Sequence, residues 1–386
     1  MWNRIAKRLQ VKQSSVTLKS IKQFNDFSIV TITPLKYCLY YFLKYNTPPP
    51  ILEKLGICSD LSLLRFVSDG IPPWRDSKLL IKDLKVDEVP LRIYQPKQPP
   101  TGKRRGILYF HGGAGTFGSI SKKSAKLVGY RLAPEHPYPG QYFDCLNATL
   151  YFMRNLEEYH VDPTLIIIGG DSCGANFATV ICQILLNKRD LPKVRAQVLI
   201  YPGLQGLDFH LPSYQQNASV PILVPKLVIY LGLRYLNKNT SFLDDILQNC
   251  YVPDSMKLKY KKWVSADNIP DKFKIRGYKP QKSTSYKPEV HEAVKELLTT
   301  TFSPLLAEDS IICQLPQSYI VTCEFDVLRD DGLLYKKRLE DNGVQVSWYH
   351  SESGFHGVLG FFGYGIFSFL SGKKIMDNIV NYINSL

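Results

Sequence analysis

The chain has 386 residues, of which 45% are hydrophobic, and it carries a formal net charge of +14. This length suits one large domain or two ordinary ones, and the apolar fraction excludes a chain that is disordered throughout. Its 25 glycines and 25 prolines follow no repeating period, which excludes a collagen-like or solenoid protein. The eight cysteines include no CxxC pair, so we expect no zinc cluster and no metal in the functional site.

The positive charge concentrates in two segments, residues 1–23 and 257–287. The first carries no acidic residue, and the second carries ten basic residues against Asp267 and Asp271. Such an excess is typical of proteins that bind nucleic acid or an acidic membrane surface. Neither segment contains a nucleic-acid-binding module. We therefore expect no nucleic-acid partner, and residues 257–287 leave two interpretations, a solvated basic face or a surface that docks on anionic lipid.

The chain does not open with a standard signal peptide or membrane helix. Residues 1–33 lack an uninterrupted apolar core, and we treat them as an atypical basic N-terminal segment, with a transit peptide as a minor alternative. Residues 353–372 carry no charged side chain apart from a histidine, but they are rich in glycine. We expect residues 358–370 to be buried or to graze a membrane rather than to span it. Three N-glycosylation sequons are compatible with a lumenal or secreted route, at Asn147, Asn217 and Asn239.

Apolar runs bounded by turn residues alternate with helix-period stretches through the second half of the chain. This alternation predicts an α/β fold with a mostly parallel central sheet flanked by helices. The predicted strands lie at 89–94, 106–110, 165–168, 198–201, 319–323 and 344–349, and the predicted helices at 175–187, 225–235, 289–299 and 333–340. Residues 126–131 have room for a short strand, but a full crossover helix does not fit between residue 119 and that strand, since a parallel crossover takes about a dozen residues.

More than a hundred residues between Tyr201 and Tyr319 do not follow this alternation. An insertion of that length between consecutive strands predicts a cap over the carboxyl edge of the sheet. We place the cap elements at about 34–75 and 206–305, within a single domain that covers 34–386. The aromatic and apolar composition of the cap favours a lipophilic substrate.

A candidate nucleophile lies in the sequence Gly170-Asp171-Ser172-Cys173-Gly174, which fits the G-x-S-x-G pattern. In a nucleophile elbow the glycines allow a sharp turn from a strand into a helix, and the turn lifts the serine hydroxyl above the sheet edge. The apolar strand before this motif and the amphipathic helix after it supply the required context. The alternative is that Ser172 only caps the helix.

A serine nucleophile needs a base and a carboxylate that orients it, in the chain order Ser, acid, His for this motif. His356 lies in a glycine-containing loop after the last predicted strand, and we expect it to be the base, with His350 as its rival. Asp326 directly follows the strand 319–323 and is the expected acid. Asp330 and Asp331 are expected instead to cap the next helix.

The oxyanion of a tetrahedral intermediate needs preorganised backbone N–H donors. The loop His111-Gly112-Gly113 follows a predicted strand, and glycine there lets the backbone approach the substrate. We expect this loop, together with the N–H of Cys173, to form the oxyanion hole.

These motifs, with Tyr130-Arg131-Leu132-Ala133-Pro134-Glu135 and the run from Asp326 to Asp331, resemble the hormone-sensitive-lipase group of α/β-hydrolases. Within that group the chain resembles the arylacetamide deacetylase-like family, from about Pro34 to its end. The resemblance implies a carboxylesterase or amide-deacetylating hydrolase with a helical cap that acts on lipophilic esters. It also implies an N-terminal anchor in the endoplasmic reticulum membrane with a lumenal catalytic domain, although no anchor helix is evident in residues 1–33.

The leading hypothesis is therefore a serine hydrolase in which Ser172, His356 and Asp326 cleave lipophilic esters or amides through an acyl-enzyme. It requires no cofactor. One alternative is a non-catalytic binder of lipophilic ligands on the same fold, and another is a shortened chain whose site is impaired by the brief 120–129 segment. The sequence leaves the oligomeric state open.

Overall fold

The computed structural model describes residues 61–62, 65, 78–98, 102–118, 126–220, 222–281, 284–362 and 368–386. The N-terminal segment 1–33, most of the expected cap element 34–75, and residues 363–367 lie outside the described residues. In the described residues no helix is long and apolar enough to cross a membrane.

An eight-stranded sheet forms the centre of the protein, with the strand order β1-β2-β4-β3-β5-β6-β7-β8. The first two strands form an antiparallel hairpin. In the order of the sheet, the six strands β4, β3, β5, β6, β7 and β8 pair in parallel, each with the next. In chain order the strands are Leu79–Val86 (β1), Val89–Pro96 (β2), Arg104–Phe110 (β3), Lys126–Val128 (β4), Val161–Asp171 (β5), Ala196–Ile200 (β6), Gln317–Phe325 (β7) and Val346–Phe355 (β8). The predicted α/β architecture is confirmed.

Helices cover the sheet and fill the long insertion between β6 and β7. The α-helices are Gly140–Arg154 (α1), Cys173–Leu185 (α2), Pro212–Gln216 (α3), Pro225–Tyr235 (α4), Leu243–Leu247 (α5), Asp254–Tyr260 (α6), Pro288–Val294 (α7), Asp309–Ile312 (α8), Arg329–Asp341 (α9) and Leu370–Ser385 (α10). Single 3₁₀ turns lie at Thr240–Phe242, Ala266–Asn268, Asp271–Phe273, Lys295–Leu298, Pro304–Leu306 and Val358–Phe361. We refer to the described residues within 206–305 as the cap segment.

The core is deeply buried where β5 meets α2. Ile166, Ile167 and Ile168 are at most 1% exposed, as expected for a parallel strand that is covered on both faces. On α2, Phe177 and Ile181 are buried. This packing fixes the direction in which the chain leaves β5 and enters α2, and that junction carries the candidate nucleophile.

The short strand β4 completes the sheet in spite of the brief segment before it. Its residues pair in parallel with β3, from Leu108↔Lys126 to Phe110↔Val128. On its other side it pairs antiparallel with β2 through Leu91↔Val128 and Arg92↔Leu127. Three residues therefore suffice to join the N-terminal hairpin to the rest of the sheet.

Three predicted boundaries or roles were wrong. The last strand does not end near Tyr349 but continues to Phe355, so His356 follows it immediately and His350 lies inside it. Asp330 and Asp331 do not cap α9, because Leu328 is its N-cap and no side chain caps it. Both aspartates are instead completely buried within its first turn. The hairpin strand β1 and the helices α1 and α10 were not predicted.

Ion pairs neutralise much of the basic segment 257–287. The basic side chains that form them, each with its acidic partner, are Lys257 with Asp254, Lys259 with Glu308, Lys262 with Asp309, Lys274 with Asp271, Arg276 with Glu324 and Lys287 with Asp245. Most of these acidic partners lie outside residues 257–287. A count of the charges within the segment alone therefore overstates the net positive charge at this surface. This pairing favours the interpretation of a solvated basic face.

Asp331 joins α9 to the point where the chain leaves β6 for the cap segment. Its Oδ2 accepts a hydrogen bond from the Leu204 N–H at 2.9 Å, and its Oδ1 accepts one from Gln205 Nε2 at 3.0 Å. Burial raises the pKa of the Asp331 carboxyl to about 7. The carboxyl thus anchors the start of the cap segment while it remains easy to protonate.

Replacement of Asp331 by Asn should change how stability depends on pH. The carboxyl titrates near its ordinary pKa of 3.8 when unfolded and near 7 when folded, so the native chain binds more protons between about pH 4 and 7. Its contribution to the free energy of unfolding therefore falls as pH rises through this window, by on the order of 4 kcal/mol. Urea unfolding at several pH values measures this. As pH rises, the free energy of unfolding of Asp331→Asn should increase relative to that of the wild type.

The matched control is Asp190→Asn, because Asp190 is exposed. Its difference from wild type should stay constant over the same pH range. A constant difference for Asp331→Asn as well would contradict the prediction.

Candidate active site

The backbone at Ser172 is strained, as a nucleophile elbow requires. Ser172 lies between β5 and α2 with φ 56° and ψ −123°, a conformation that costs a non-glycine residue of order 1–3 kcal/mol. Two glycines make the turn feasible. A Cβ on Gly170 would overlap the backbone of Gly174, and a Cβ on Gly174 would overlap the carbonyl oxygen of Phe110. The motif therefore has the strand-turn-helix context that the sequence predicts.

The structure brings the three predicted triad residues into one hydrogen-bonded chain. Ser172 Oγ lies 2.9 Å from His356 Nε2, and His356 Nδ1 lies 2.9 Å from Asp326 Oδ2. Asp326 is fully buried and His356 is 6% exposed. The second carboxylate oxygen, Oδ1, accepts a hydrogen bond from the Leu328 N–H at 2.8 Å. With Asp326 as acceptor at Nδ1, the His356 tautomer leaves Nε2 free to accept the serine proton.

The rival base, His350, belongs to a different cluster. Its Nδ1 lies 2.9 Å from Thr322 Oγ1, and its Nε2 lies 3.2 Å from Glu324 Oε2. Its ring packs edge-on against Phe273 of the cap segment. The structure thus pairs Ser172 with His356 and assigns His350 to the contact between β7, β8 and the cap segment.

The loop after β3 departs from the expectation for Gly112. The Gly112 N–H donates to Asp171 Oδ1 at 2.9 Å, and the same oxygen accepts a hydrogen bond from Tyr109 Oη at 2.8 Å. Burial raises the pKa of Asp171. An N–H that donates to this carboxyl is directed away from a substrate, so the loop donors available to an oxyanion lie at Gly113 and Ala114.

His111 and Gly113 have structural roles in the same loop. The His111 ring stacks on Tyr130 with centroids 4.2 Å apart, and Tyr130 Oη donates to the His111 carbonyl at 2.8 Å. Gly113 has φ 126°, and a Cβ there would overlap the carbonyl oxygen of Phe117. Ala114 occupies the left-handed region with φ 52°. The loop is therefore shaped by backbone geometry that its glycines permit.

Cys173, whose N–H was also predicted to bind the oxyanion, follows the nucleophile at the start of α2. Its side chain faces Tyr130 and the oxyanion loop, and burial raises the pKa of the Cys173 thiol to about 12. The thiol is therefore protonated at neutral pH and does not compete with Ser172 as a nucleophile.

A cavity opens beside Ser172. Its walls come from the oxyanion loop, from α2 and from the cap segment, and most are apolar. The lining side chains include Phe177, Leu223, Val228, Leu231, Tyr235, Phe302 and Leu328. Sequence analysis did not identify these residues, because they converge from elements that are far apart in the chain.

Arg65 connects the N-terminal part of the chain to the oxyanion loop, a contact with no sequence signal. Its Nε donates to the Thr116 carbonyl at 2.8 Å, and its guanidinium forms a bidentate pair with Glu135, both distances being 2.7 Å. The Arg65 guanidinium lowers the pKa of Glu135 to about 2. Since the Thr116 N–H donates to the Gly113 carbonyl at 2.9 Å, Arg65 braces the turn that holds the candidate oxyanion donors.

A similar brace acts on the loop of Asp326, the candidate triad acid. Asn217 Nδ2 donates to the carbonyl oxygen of Asp326 at 2.8 Å and to that of Glu324 at 3.2 Å. Arg276 donates to Asn217 Oδ1 at 3.0 Å, which fixes the orientation of the amide. Asn217 is completely buried, so its sequon is inaccessible to glycosylation in the folded chain, whereas the Asn239 sequon is exposed.

Arg65→Ala should lower ester hydrolysis through kcat more than through KM. Without the guanidinium, the turn at Gly113 loses its brace and the oxyanion donors lose preorganisation, at a cost of about tenfold in rate. Steady-state kinetics on an activated ester would measure it. Arg92→Ala is the control, because Arg92 forms an equally bidentate pair with Asp83 on the distant β1–β2 hairpin. Equal kinetics for the two variants would contradict the role of Arg65.

Asn217→Ala should also reduce kcat, by about tenfold, because it removes two hydrogen bonds that position the loop of the candidate acid Asp326. Asn239→Ala is the matched control. It removes an exposed asparagine that caps a 3₁₀ turn by accepting from the Ser241 N–H at 2.9 Å, and it should leave kcat unchanged. Unchanged kcat in folded Asn217→Ala protein would refute the positioning role.

Comparisons with known proteins agree with this architecture. Residues 107–259 and 278–360 match a family described as the alpha/beta hydrolase fold. The chain is 41% identical to human arylacetamide deacetylase-like 4 over 91% of its length and 89% of the relative. It is 43% identical to mouse arylacetamide deacetylase-like 3, over 90% of this chain and 88% of the relative. It is 39% identical to bovine arylacetamide deacetylase, over 76% of this chain and 77% of the relative.

Among solved structures, the hyperthermophilic esterase of the archaeon Pyrobaculum calidifontis superimposes with a TM-score of 0.58 at 22% identity, covering 92% of this chain and 98% of the esterase. Carboxyl esterase 2 of the fungus Tuber melanosporum gives a TM-score of 0.60 at 20% identity, covering 80% and 87%. These two structures share the fold of this chain. From the family match and the identities to its relatives, the chain belongs to the arylacetamide deacetylase-like family of α/β-hydrolases.

Proposed function

We propose that this carboxylic ester hydrolase cleaves small lipophilic esters or amides, with Ser172 as nucleophile, His356 as general base and acid, and Asp326 as the orienting carboxylate. The observation that carries the proposal is the continuous hydrogen-bonded chain from Ser172 Oγ through His356 to the buried Asp326, next to an apolar cavity. Membership of the arylacetamide deacetylase-like family supports it.

In the acylation step, Ser172 Oγ attacks the ester carbonyl carbon while His356 Nε2 accepts the hydroxyl proton. The tetrahedral intermediate collapses when the alcohol leaves with that proton from His356, and an acyl-serine remains. A water molecule, deprotonated by the same nitrogen, then releases the carboxylic acid. The Asp326 carboxylate stabilises the imidazolium that forms in each step, which explains why it is buried against His356 Nδ1.

The oxyanion would be stabilised by the backbone N–H groups of Gly113, Ala114 and Cys173. Gly112 is left out of this set because its N–H donates to Asp171. This arrangement supplies the preorganised donors that a developing negative charge requires. None of these steps calls on a metal or organic cofactor.

The lipophilic preference follows from the cavity walls. Aromatic and aliphatic side chains of α2, α4 and the Phe302 region line the space beside Ser172, so an apolar acyl or alcohol group gains free energy by leaving water there, about 25 cal/mol per Å². The assembled triad counts against the alternative of a non-catalytic ligand binder. The complete sheet around β4 counts against a site impaired by the short 120–129 segment.

We further propose an association with the endoplasmic reticulum membrane, with the catalytic domain in the lumen, and contact with a membrane surface. The exposed Asn239 sequon supports the lumenal side, since it is accessible to N-glycosylation. The ion pairs along 257–287 argue that this segment by itself is a weak electrostatic anchor.

Fluorophosphonate labelling of the full chain tests the proposed function. The probe reacts with a serine that an assembled base and oxyanion hole have activated. We expect native protein to be labelled and Ser172→Ala and heat-denatured protein to remain unlabelled. Labelling of His356→Ala should fall strongly, because Ser172 then lacks its base.

Ser310→Ala is the control for the loss of a serine, since Ser310 is exposed in α8, outside the residues that line the cavity. It should be labelled as strongly as wild type. A folded wild-type sample that takes no label, or label that persists in Ser172→Ala, would overturn the proposed mechanism.

A further inference from the structure

Most polar side chains that line the cavity are already engaged inside the protein. The Asn176 amide nitrogen donates to the carbonyl oxygens of Gly203 and Phe302 at 2.9 and 2.8 Å. Thr301 Oγ1 lies 2.5 Å from Tyr138 Oη. Gln205 and Asp331 bond to one another and to the neighbouring backbone. These groups hold the cap segment to α2 and α9, so their hydrogen-bonding capacity is largely used in that role.

Tyr214, on α3, is different. It lines the same cavity and is 2% exposed, yet its hydroxyl has no hydrogen-bond partner in the described part of the chain. Its ring packs edge-on against Phe209, with centroids 5.4 Å apart, and this contact restrains the side chain. A buried hydroxyl without a partner is costly and uncommon in folded proteins. Because Tyr214 lines the cavity, a ligand bound there is the natural source of that partner.

The surroundings of Tyr214 determine which kind of partner fits. Burial and the nearby Asp331, Asp326 and Asp208 raise its pKa well above 10, so its hydroxyl is neutral and retains its proton at physiological pH. It is therefore a hydrogen-bond donor. The neighbouring carboxyl groups oppose the entry of an anionic group, and the apolar walls oppose a strongly hydrated one.

We propose that Tyr214 Oη forms a polar subsite in the substrate cavity, donating a hydrogen bond to an uncharged acceptor such as a second carbonyl or an ether oxygen, separate from the scissile ester. The substrate class is then a lipophilic, uncharged ester with an additional acceptor in its acyl or alcohol part. This inference rests on the proposed hydrolase function, which it makes more specific. Tyr214 is a specificity residue in this scheme and takes no part in proton transfer.

The test is a series of p-nitrophenyl alkanoates in which one methylene of the acyl chain is replaced by a carbonyl at successive positions. At one position the keto ester should have a higher kcat/KM than its methylene analogue in the wild-type chain. Tyr214→Phe should reduce that preference by about tenfold, the value of one neutral hydrogen bond. The plain alkanoates are measured in the same variant as the reference, so that any general effect of the substitution on hydrolysis cancels in the keto-to-methylene ratio.

Tyr382→Phe is the matched control, because Tyr382 Oη is also buried without a hydrogen-bond partner in the described residues but lies on α10, away from the cavity. Its keto-to-methylene ratio should equal that of the wild type. Thermal unfolding of both variants checks that neither has lost its fold.

Two results would overturn the inference. One is a ratio that Tyr214→Phe leaves unchanged at every carbonyl position. The other, which needs no variant, is a wild-type chain that hydrolyses the plain alkanoates but prefers none of the keto esters. Failure of the proposed function would look different, since all the esters would then resist hydrolysis and Ser172 would take no fluorophosphonate.

Discussion

The buried residue Asp326 is held through both carboxylate oxygens and through its main-chain carbonyl oxygen, and the geometry of the site depends on it. His356 contacts one oxygen, the Leu328 N–H occupies the other, and Asn217 holds the carbonyl oxygen of the same residue. Because the carboxylate is removed from water, loss of its hydrogen bond to His356 or to the Leu328 N–H would leave part of a buried charge uncompensated. The arrangement also links two parts of the fold, since Asn217 and the Arg276 that orients it lie between β6 and β7.

The cap segment is joined to the sheet by polar contacts at both of its ends. Asn176 of α2 bonds to Gly203, where the chain leaves the sheet, and to Phe302, where it returns. Asp331 adds a second hold at the exit, through Leu204 and Gln205. The residues that form the cavity roof are thereby tied to α2, the helix that follows Ser172. The shape of the cavity and the position of Ser172 are therefore set by one connected hydrogen-bond network.

The sequence predicted the elements whose pattern is local and left out those that depend on tertiary contacts. Ser172 was predictable because glycine spacing, an apolar strand and an amphipathic helix adjoin it. The strand at 89–94 was predicted, but its hairpin partner β1 was missed, because the turn Asp87-Glu88 takes positive φ at both residues without the usual glycine. The role of Asp331 was misjudged, because its partners Leu204 and Gln205 lie more than a hundred residues away. Arg65 likewise gives no sequence signal, because its partners Thr116 and Glu135 are distant in the chain and meet it only in the folded structure.

The three-residue strand β4 separates the hairpin β1–β2 from the parallel strands, and we expect the hairpin to unfold locally more easily than those strands. In the described part of the chain the hairpin β1–β2 pairs with β4 through Leu91↔Val128 and Arg92↔Leu127, whereas β5 and β6 share five consecutive pairs. Such a narrow junction creates a natural boundary between cooperative units. We expect amide hydrogens of the hairpin to exchange with solvent through local opening events that leave β5 to β8 intact. The half of the sheet that carries Ser172 and Asp326 would then outlast the hairpin during partial unfolding.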